Sequence, residues 1–300
     1  MSELVTLNDN ANFAAMAAAM GMNADVKKEG KKSTLARLKI DHSGVMGEEE
    51  VKGKMKKVQI IDAGMYCIAI PSGDKDVEDT KVFSASPKVR LFNQRFMYKR
   101  FIKEGDTGRF VKTVMDTDLK NDLRDTDGGF NCGKPGGWVD DYKSLPEETK
   151  NLIKSIKRVR VLFGTVTMDD GIDGEGNPYP VKDVPFIWEV DNKTSFKDMG
   201  APIAQLAKSN RLLPQHNIIL STKENPLPNG SSFWTAVPAL DLSVTLPLVD
   251  ADQETFSAFN LWIKDYNEYV VKAHKEAQDS VLDAGLKDVV DEFVEVQEAA

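Results

Sequence analysis

The chain has 300 residues, of which 41% are hydrophobic and 29% are charged, and this content excludes a wholly disordered protein. Its formal net charge of −8 is unevenly spread, because residues 1–112 hold 20 Lys/Arg against 15 Asp/Glu. A basic front part and an acidic back part predict a charged partner or an acidic tail, so the net charge does not exclude nucleic acid.

The cysteine content and the apolar segments indicate the cellular compartment in which we expect the protein. Only Cys67 and Cys132 are present and no CxxC pair occurs, which excludes a disulfide framework and a four-cysteine zinc site and favours a reducing cytosol, that of a host cell if the protein is viral. Residues 13–22 are apolar, but they are too few to span a bilayer and they follow Glu3 and Asp9 rather than basic residues. We therefore expect no signal peptide, no transmembrane helix and no membrane partner.

Residues 1–33 are predicted to form a flexible N-terminal arm with an Ala/Met-rich stretch and four lysines. The pattern that follows is short and alternating, with turns at glycine-containing segments, and is typical of β-strands. The strands predicted in this part cover residues 35–40, 58–61, 65–70, 81–83, 89–102, 109–114 and 159–163. A helix is predicted over residues 146–158, where Leu152, Ile153 and Ile156 recur at helical spacing.

The second half mixes strands and helices. Its predicted strands cover residues 184–190, 217–221, 232–237 and 240–246. A helix with a break near residues 200–202 is predicted over 196–213, and the strongest helical pattern covers 252–277. The apolar stripe of that last helix, which favours core packing over a cofactor site, consists of Phe256, Phe259, Trp262, Ile263, Tyr266, Tyr269 and Val270.

The last 22 residues, 279–300, hold seven Asp/Glu against the single Lys287. Only a few apolar side chains are interspersed among these charges. Such a composition predicts a mobile acidic tail, which leaves residues 34–278 as a single elaborated domain.

A basic and aromatic segment at residues 87–112 is the most informative stretch. Its cations are Lys88, Arg90, Arg95, Lys99, Arg100, Lys103, Arg109 and Lys112, and its aromatic residues are Phe92, Phe96, Tyr98, Phe101 and Phe110. If residues 89–102 form a strand, one face presents Arg90, Phe92, Gln94, Phe96, Tyr98 and Arg100. Alternating rings and cations suit single-stranded nucleic acid, because bases stack on rings while cations follow the phosphates. The alternative is that the rings face the core.

Two other motifs depart from the phosphate-binding and calcium-binding sites that they resemble. Residues 128–134 fit GxxxxGK, but Pro135 replaces the Ser/Thr of a P-loop and the upstream run is polar, so a glycine-rich surface loop is favoured. Residues 169–177 imitate the start of a calcium loop, but Pro180 stands where the bidentate Glu belongs, which favours a hairpin loop. With three scattered histidines and no catalytic motif, we predict no enzyme, no metal and no cofactor.

This organisation resembles the replicative single-stranded DNA-binding proteins that bacteriophages encode. The resemblance covers the lysine-rich residues 27–39, the basic and aromatic strand at 87–112, and the acidic tail. It implies an α+β fold, with an OB-like antiparallel β-barrel core elaborated by peripheral helices, a long C-terminal helix and an acidic tail. The chain departs from a minimal OB domain in its length, and its tail ends in Glu298-Ala-Ala rather than in an aromatic residue.

The predicted function is therefore sequence-independent binding of single-stranded DNA in replication or recombination, with partner proteins recruited by the acidic tail. The tail is also expected to compete with DNA for the basic groove. The predicted DNA-binding residues are Lys88, Arg90, Phe92, Arg95, Phe96, Tyr98, Lys99, Arg100, Lys103, Arg109, Lys112 and Trp138. The alternatives are a virion structural or assembly protein, a strand-annealing protein, and a metal-dependent nuclease built on residues such as Asp169 and Asp173.

Overall fold

A computed structural model describes residues 35–51, 54–74, 76–105, 107–134 and 142–298 of the chain. The predicted N-terminal arm and Trp138 lie outside these residues. The described part is an α+β structure built on a large, mostly antiparallel sheet and a long C-terminal helix.

Eleven strands are present among the described residues. They are β1 (Ala36–Ile40), β2 (Val45–Val51), β3 (Lys54–Ile61), β4 (Tyr66–Ile70), β5 (Thr80–Ser84), β6 (Lys88–Glu104), β7 (Thr107–Lys112), β8 (Ile156–Met168), β9 (Val181–Val190), β10 (Asn217–Pro226) and β11 (Ser232–Leu240). The helices are α1 (Glu147–Ser155), α2 (Lys193–Asp198), α3 (Gly200–Lys208) and α4 (Asp250–Glu298).

The main sheet has nine strands in the order β11-β10-β6-β8-β9-β1-β4-β5, and β7 pairs with the far end of β6. Only β1 and β9 run parallel, while every other pair in this order is antiparallel. β2 and β3 form a separate hairpin between β1 and β4. Among the described residues the strand pairing is an open path and not a closed barrel.

The sheet nevertheless curls, because strands that are distant in its order meet through side chains. The Tyr66 hydroxyl of β4 donates a hydrogen bond to the Ser221 carbonyl of β10 at 3.1 Å. On the same strand, the Thr222 hydroxyl donates to the Gly64 carbonyl at 2.8 Å. The enclosed apolar cluster draws residues from β1, β4, β5, β6, β8, β9, β10 and β11, with α2 and α3 packed against it.

Helix α4 packs on the outer side of β6 and β8. Phe259, Ile263 and Val270 are buried as its periodicity predicts, and Phe259 contacts the rings of Phe92 and Phe163. Two members of the predicted stripe, Phe256 and Tyr269, are instead exposed. The buried face of this helix is therefore narrower than the aromatic pattern indicates.

Several predicted boundaries differ from the structure. The helix predicted to end at 277 continues to Glu298, so residues 279–298 are helical. The predicted strand at 240–246 is wrong, since β11 ends at Leu240 and no regular structure covers 241–249. Asp241 accepts a hydrogen bond from the Ser243 N–H at 2.9 Å, and this side-chain turn follows directly after the strand. Ile156, predicted in a helix, begins β8.

No helix within the described ranges is both long enough and apolar enough to span a membrane.

Candidate nucleic-acid interface

The hairpin of β6 and β7 carries most of the predicted DNA-binding residues. Its strands pair with Lys99 opposite Lys112 and with Phe101 opposite Phe110. Directly paired residues point to the same side of a sheet, so these four side chains share one face. On the other edge of β6, Lys99 is also paired with Lys157 of β8.

A β-bulge near the start of β6 breaks the predicted alternation of faces. The register with β8 shifts between Leu91 and Asn93, and the intervening Phe92 is left over. Leu91, Phe92 and Asn93 are consequently all buried. Period-two reasoning assumes an unbroken strand, and it therefore fails to predict the face of residues beyond the bulge.

The rings of Phe92 and Tyr98 belong to the core, which is the alternative that the sequence left open. Phe92 packs edge-on against Phe259 at a centroid distance of 5.9 Å. Tyr98 is 3% exposed, and its hydroxyl accepts a hydrogen bond from the Lys134 ammonium at 3.3 Å. Neither ring presents a free face on which a base could stack.

Phe96 is half-buried and takes part in a stack of its own. The guanidinium of Arg160 lies 4.9 Å from the Phe96 centroid and 4.8 Å from that of Phe196. Arg160 also donates to the Phe196 carbonyl at 3.1 Å, and burial lowers the pKa of its guanidinium. Phe96 thus holds α2 against the sheet through a cation between two rings.

Three of the predicted cations are paired with carboxylates of the chain itself. Lys88 contacts Asp169 at 2.8 Å, and Arg90 forms two bonds of 2.8 Å with Asp252 at the start of α4. Arg109 bonds to Glu104 at 2.7 Å and also pairs with Asp127. Each of these cations would have to give up an internal partner in order to bind a phosphate.

Lys99 and Lys112 converge on Glu189 of β9. Their ammonium groups lie 3.3 Å and 2.8 Å from its carboxylate oxygens, and Lys99 and Lys157 both contact Asp191. Burial disfavours ionisation of Glu189, but the two lysines outweigh it and the pKa of Glu189 is lowered. The lysines therefore stand around an ionised carboxylate.

Phe101 and Phe110 are the exposed aromatic residues of the hairpin. Their side chains are 51% and 52% exposed, and their ring centroids lie 5.1 Å apart at an interplanar angle of 59°. Lys99 holds its ammonium 5.1 Å from the Phe110 centroid, and the exposed Lys103 follows on the same strand. We call the set of Lys99, Phe101, Lys103, Phe110 and Lys112 the hairpin face.

The prediction of stacking residues omits Phe101 and Phe110, although the sequence does carry a signal for them. The turn predicted at residues 104–108 folds β7 back on β6, and counting outward from it pairs the two rings. An exposed aromatic pair between lysines is a surface on which unstacked bases can bind.

Arg95, Arg100 and Lys103 remain without an acidic partner. In the portion of the chain that is described, no carboxylate forms an ion pair with any of the three. Arg95 donates to the carbonyl of Gln94 at 2.8 Å, and burial lowers the pKa of its guanidinium although Asp116 acts against this. These cations keep their charge available for an external anion.

The GxxxxGK segment holds a carboxylate of its own. The buried Asp125 accepts hydrogen bonds from the backbone N–H groups of Asp127, Gly129 and Cys132 at 3.0, 3.0 and 2.9 Å. Asn131 and Cys132 adopt left-handed φ angles of 54° and 57° to present these groups. Amides that could cradle a phosphate are thus already occupied by Asp125.

The loop between β8 and β9 is a hairpin connection, as predicted. Asp173 accepts from the backbone N–H groups of Glu175 and Asn177 at 2.8 and 2.9 Å, which closes the turn. No group of three or more His, Cys, Asp or Glu side chains within the described ranges is placed to hold a metal ion.

Comparison of the chain with known protein families, with curated proteins and with solved structures gave no match.

Proposed function

We propose that this protein binds single-stranded DNA without sequence preference and acts in replication or recombination. The observation that carries the proposal is the exposed pair of Phe101 and Phe110 between lysines on one face of the β6–β7 hairpin. Bases within a duplex are already stacked, so exposed rings favour a single strand. The lysines of the hairpin face contribute an electrostatic attraction that any sequence provides equally.

The finer fold proposal is an elaborated OB-like barrel. The curled sheet and the bonds that Tyr66 and Thr222 make between β4 and β10 support it. OB-type barrels bind oligonucleotides on the face of central strands and on adjoining loops. The long β6, paired with three other strands, occupies such a central position here.

A titration of a fluorescent oligo-dT strand tests the proposal. Replacing both exposed rings, Phe101→Ala with Phe110→Ala, removes two stacking platforms, each of which is expected to contribute about 1–3 kcal/mol per base. The dissociation constant should rise at least tenfold. Phe256→Ala provides a matched control, because this ring is 44% exposed but lies on α4. Equal affinities of the double variant and the control would overturn the stacking role.

The acidic residues 279–300 are proposed to recruit replication or recombination proteins and to compete with DNA. Seven acids against one lysine give this segment the charge of a nucleic-acid mimic. Truncation after residue 278 should therefore tighten oligo-dT binding at low salt, and unchanged affinity would remove the competition.

A second candidate function, a structural or assembly protein, is favoured by a different surface. Leu242, Val244, Leu248 and Val249 are each 42–55% exposed and lie between β11 and α4. Contiguous exposed apolar residues mark contact sites. Sedimentation velocity decides between the two candidates: concentration-dependent assembly without oligo-dT binding would favour the structural protein.

A further inference from the structure

Three cations surround Tyr98 on the side of β6 opposite the hairpin face. Arg100 lies two residues further along the strand, and Arg158 of β8 is the residue directly paired with Tyr98. The Lys134 ammonium lies 5.2 Å from the Tyr98 ring centroid. We call Arg100, Lys134 and Arg158 the cation cluster. Because side chains alternate along a strand, Tyr98 and Arg100 face away from Lys99 and Phe101.

The cation cluster differs from Lys99 and Lys112 of the hairpin face in having no counter-charge among the described residues. Lys99 and Lys112 share Glu189, whereas no described carboxylate lies within 4.0 Å of a cationic nitrogen of the cluster. The sole partner described for the Lys134 ammonium is the Tyr98 hydroxyl. Adjacent cations without an anion repel one another, and binding an anion relieves that repulsion.

Arg100 also has an unused donor. Its Nε is buried and has no hydrogen-bond partner among the described residues. A buried donor left without an acceptor costs about 1–3 kcal/mol. A ligand oxygen that accepts from this Nε would recover that free energy, which requires the Arg100 side chain to turn its Nε toward the ligand.

The cluster is accessible from outside. Arg158 and Gly133 are exposed, while Arg100 and Lys134 are half-buried. Gly133 lies against the Arg100 guanidinium: a Cβ atom at this glycine would lie 3.5 Å from Arg100 Nη1. A small anion that approaches over Gly133 passes beside the Leu152 side chain, whose Cδ2 atom would lie 3.5 Å from the same Cβ position.

We propose that the cation cluster is a second site for single-stranded nucleic acid and binds a phosphate of its backbone. The inference rests on the proposed function, because a nucleic-acid strand is the ligand that brings the phosphate. Guanidinium and ammonium groups donate to phosphate oxygens with charge-assisted hydrogen bonds. Tyr98, the ring beside these cations, is buried, so the site recognises the backbone and not the bases.

An abasic deoxyribose-phosphate oligomer separates this site from the stacking surface. It carries the phosphates of oligo-dT but has no base to stack. In the full chain, Arg100→Gln with Lys134→Gln and Arg158→Gln should weaken its binding about tenfold. The slope of log K against log salt should become less steep by about 0.7 for each lost contact. Phe101→Ala with Phe110→Ala should leave the abasic oligomer's affinity unchanged.

The matched control removes three other exposed cations, Lys182→Gln, Lys193→Gln and Lys208→Gln, and so changes the net charge equally. Equal affinity of the two triple variants for the abasic oligomer would overturn the proposed phosphate site. A wild-type protein that fails to bind the abasic oligomer at low salt would also overturn it. If the triple variant misfolds, Arg158→Gln alone serves as the test, because Arg158 is exposed. This single variant should also weaken binding of the abasic oligomer, and Arg158→Lys should restore it. Equal affinity of the wild-type protein for oligo-dT and for the abasic oligomer would instead contradict the stacking role, and it would not affect the proposal for the cation cluster.

Discussion

The Phe101 ring lies directly over Gly108 of the neighbouring strand, where a Cβ atom would overlap it. Glycine at this position lets the ring lie against the sheet with its other face open. Phe110 then meets it at a centroid distance of 5.1 Å. The hairpin face thus depends on a residue that carries no side chain.

Replacing that glycine should disturb stacking without disturbing the fold. Gly108→Val is expected to displace the Phe101 ring and to weaken oligo-dT binding about tenfold, the loss of one base stack. The thermal midpoint should change little, because Phe101 and Gly108 are both exposed. Gly174→Val, in an exposed loop with open space around its Cα, is the control. A Gly108→Val variant that binds like wild type would show that the ring's position is unimportant.

Removing the carboxylate at the centre of the lysines should tighten binding. Glu189→Gln releases Lys112, which the carboxylate contacts at 2.8 Å, whereas Lys99 keeps its second partner Asp191 at 3.2 Å. One more cation becomes available to phosphates, so the salt slope should steepen by about 0.7. Fluorescence titrations at several salt concentrations measure this, with the exposed Glu224→Gln as control. Weaker binding by Glu189→Gln in a folded protein would contradict the role given to the lysines.

The ion pair of Arg90 and Asp252 should make stability depend on pH. Burial raises the pKa of Asp252, but the bonds from Arg90 and from the Val249 N–H outweigh it, so the folded-state pKa is lowered. The stabilisation is therefore complete above the unfolded pKa of about 4 and disappears as pH falls through the lower folded value. Asp252→Asn should cost about 2–4 kcal/mol at pH 7.

Urea unfolding at pH 7 and at progressively lower pH measures this difference. The difference in stability should begin to shrink below about pH 4 and should vanish once the pH has fallen through the lower folded pKa of Asp252, where the wild-type carboxylate also becomes neutral. A difference that stays constant through this range would mean that Asp252 acts through packing alone.

The buried carboxylate of Asp125 should protect the loop that holds Cys132. Asp125→Ala leaves three backbone N–H groups without their acceptor and is expected to cost about 3 kcal/mol locally. Burial raises the pKa of the Cys132 thiol to about 12, with Asp125 acting in the same direction, and burial raises that of Cys67 to about 11. Both thiols should react slowly with iodoacetamide in the wild-type protein.

Mass spectrometry of the alkylated Asp125→Ala protein separates local from global effects. Cys132 should react faster, whereas Cys67, in the separate core cluster beneath the β2–β3 hairpin, should not change. Equal acceleration at both cysteines would indicate general unfolding and would refute a local role for Asp125.

The local sequence pattern predicted many helices and strands, but it did not predict which charged side chains form ion pairs. Helical spacing located the core residues Phe259 and Ile263 of α4, and alternation located most of the strands. The bulge at Phe92 could not be predicted from the sequence, because it depends on the register of β6 with β8. The ion pairs could not be predicted for a similar reason, because their partners are distant in the sequence. Arg90 pairs with Asp252, 162 residues away, and Lys99 pairs with Glu189 at a separation of 90.

The lysine-rich stretch at residues 54–57 shows the same limit. In the β2–β3 hairpin, Lys57 is paired with Glu48 and Lys56 with Glu49. Two lysines of this run thus stand opposite glutamates in the strand register. The part of the candidate site that could be predicted was the segment that carries it. Which side chains stay exposed and unpaired required the tertiary structure.

The most direct test of the central claim is a salt titration that compares oligo-dT with a duplex of equal length. We expect tighter binding of the single strand at every salt concentration, with log K falling by about 0.7 per phosphate contact for each log unit of salt. Phe101→Ala with Phe110→Ala should lower the single-strand affinity while leaving this slope unchanged. Equal affinity for both nucleic acids, unaffected by loss of the two rings, would contradict the central claim.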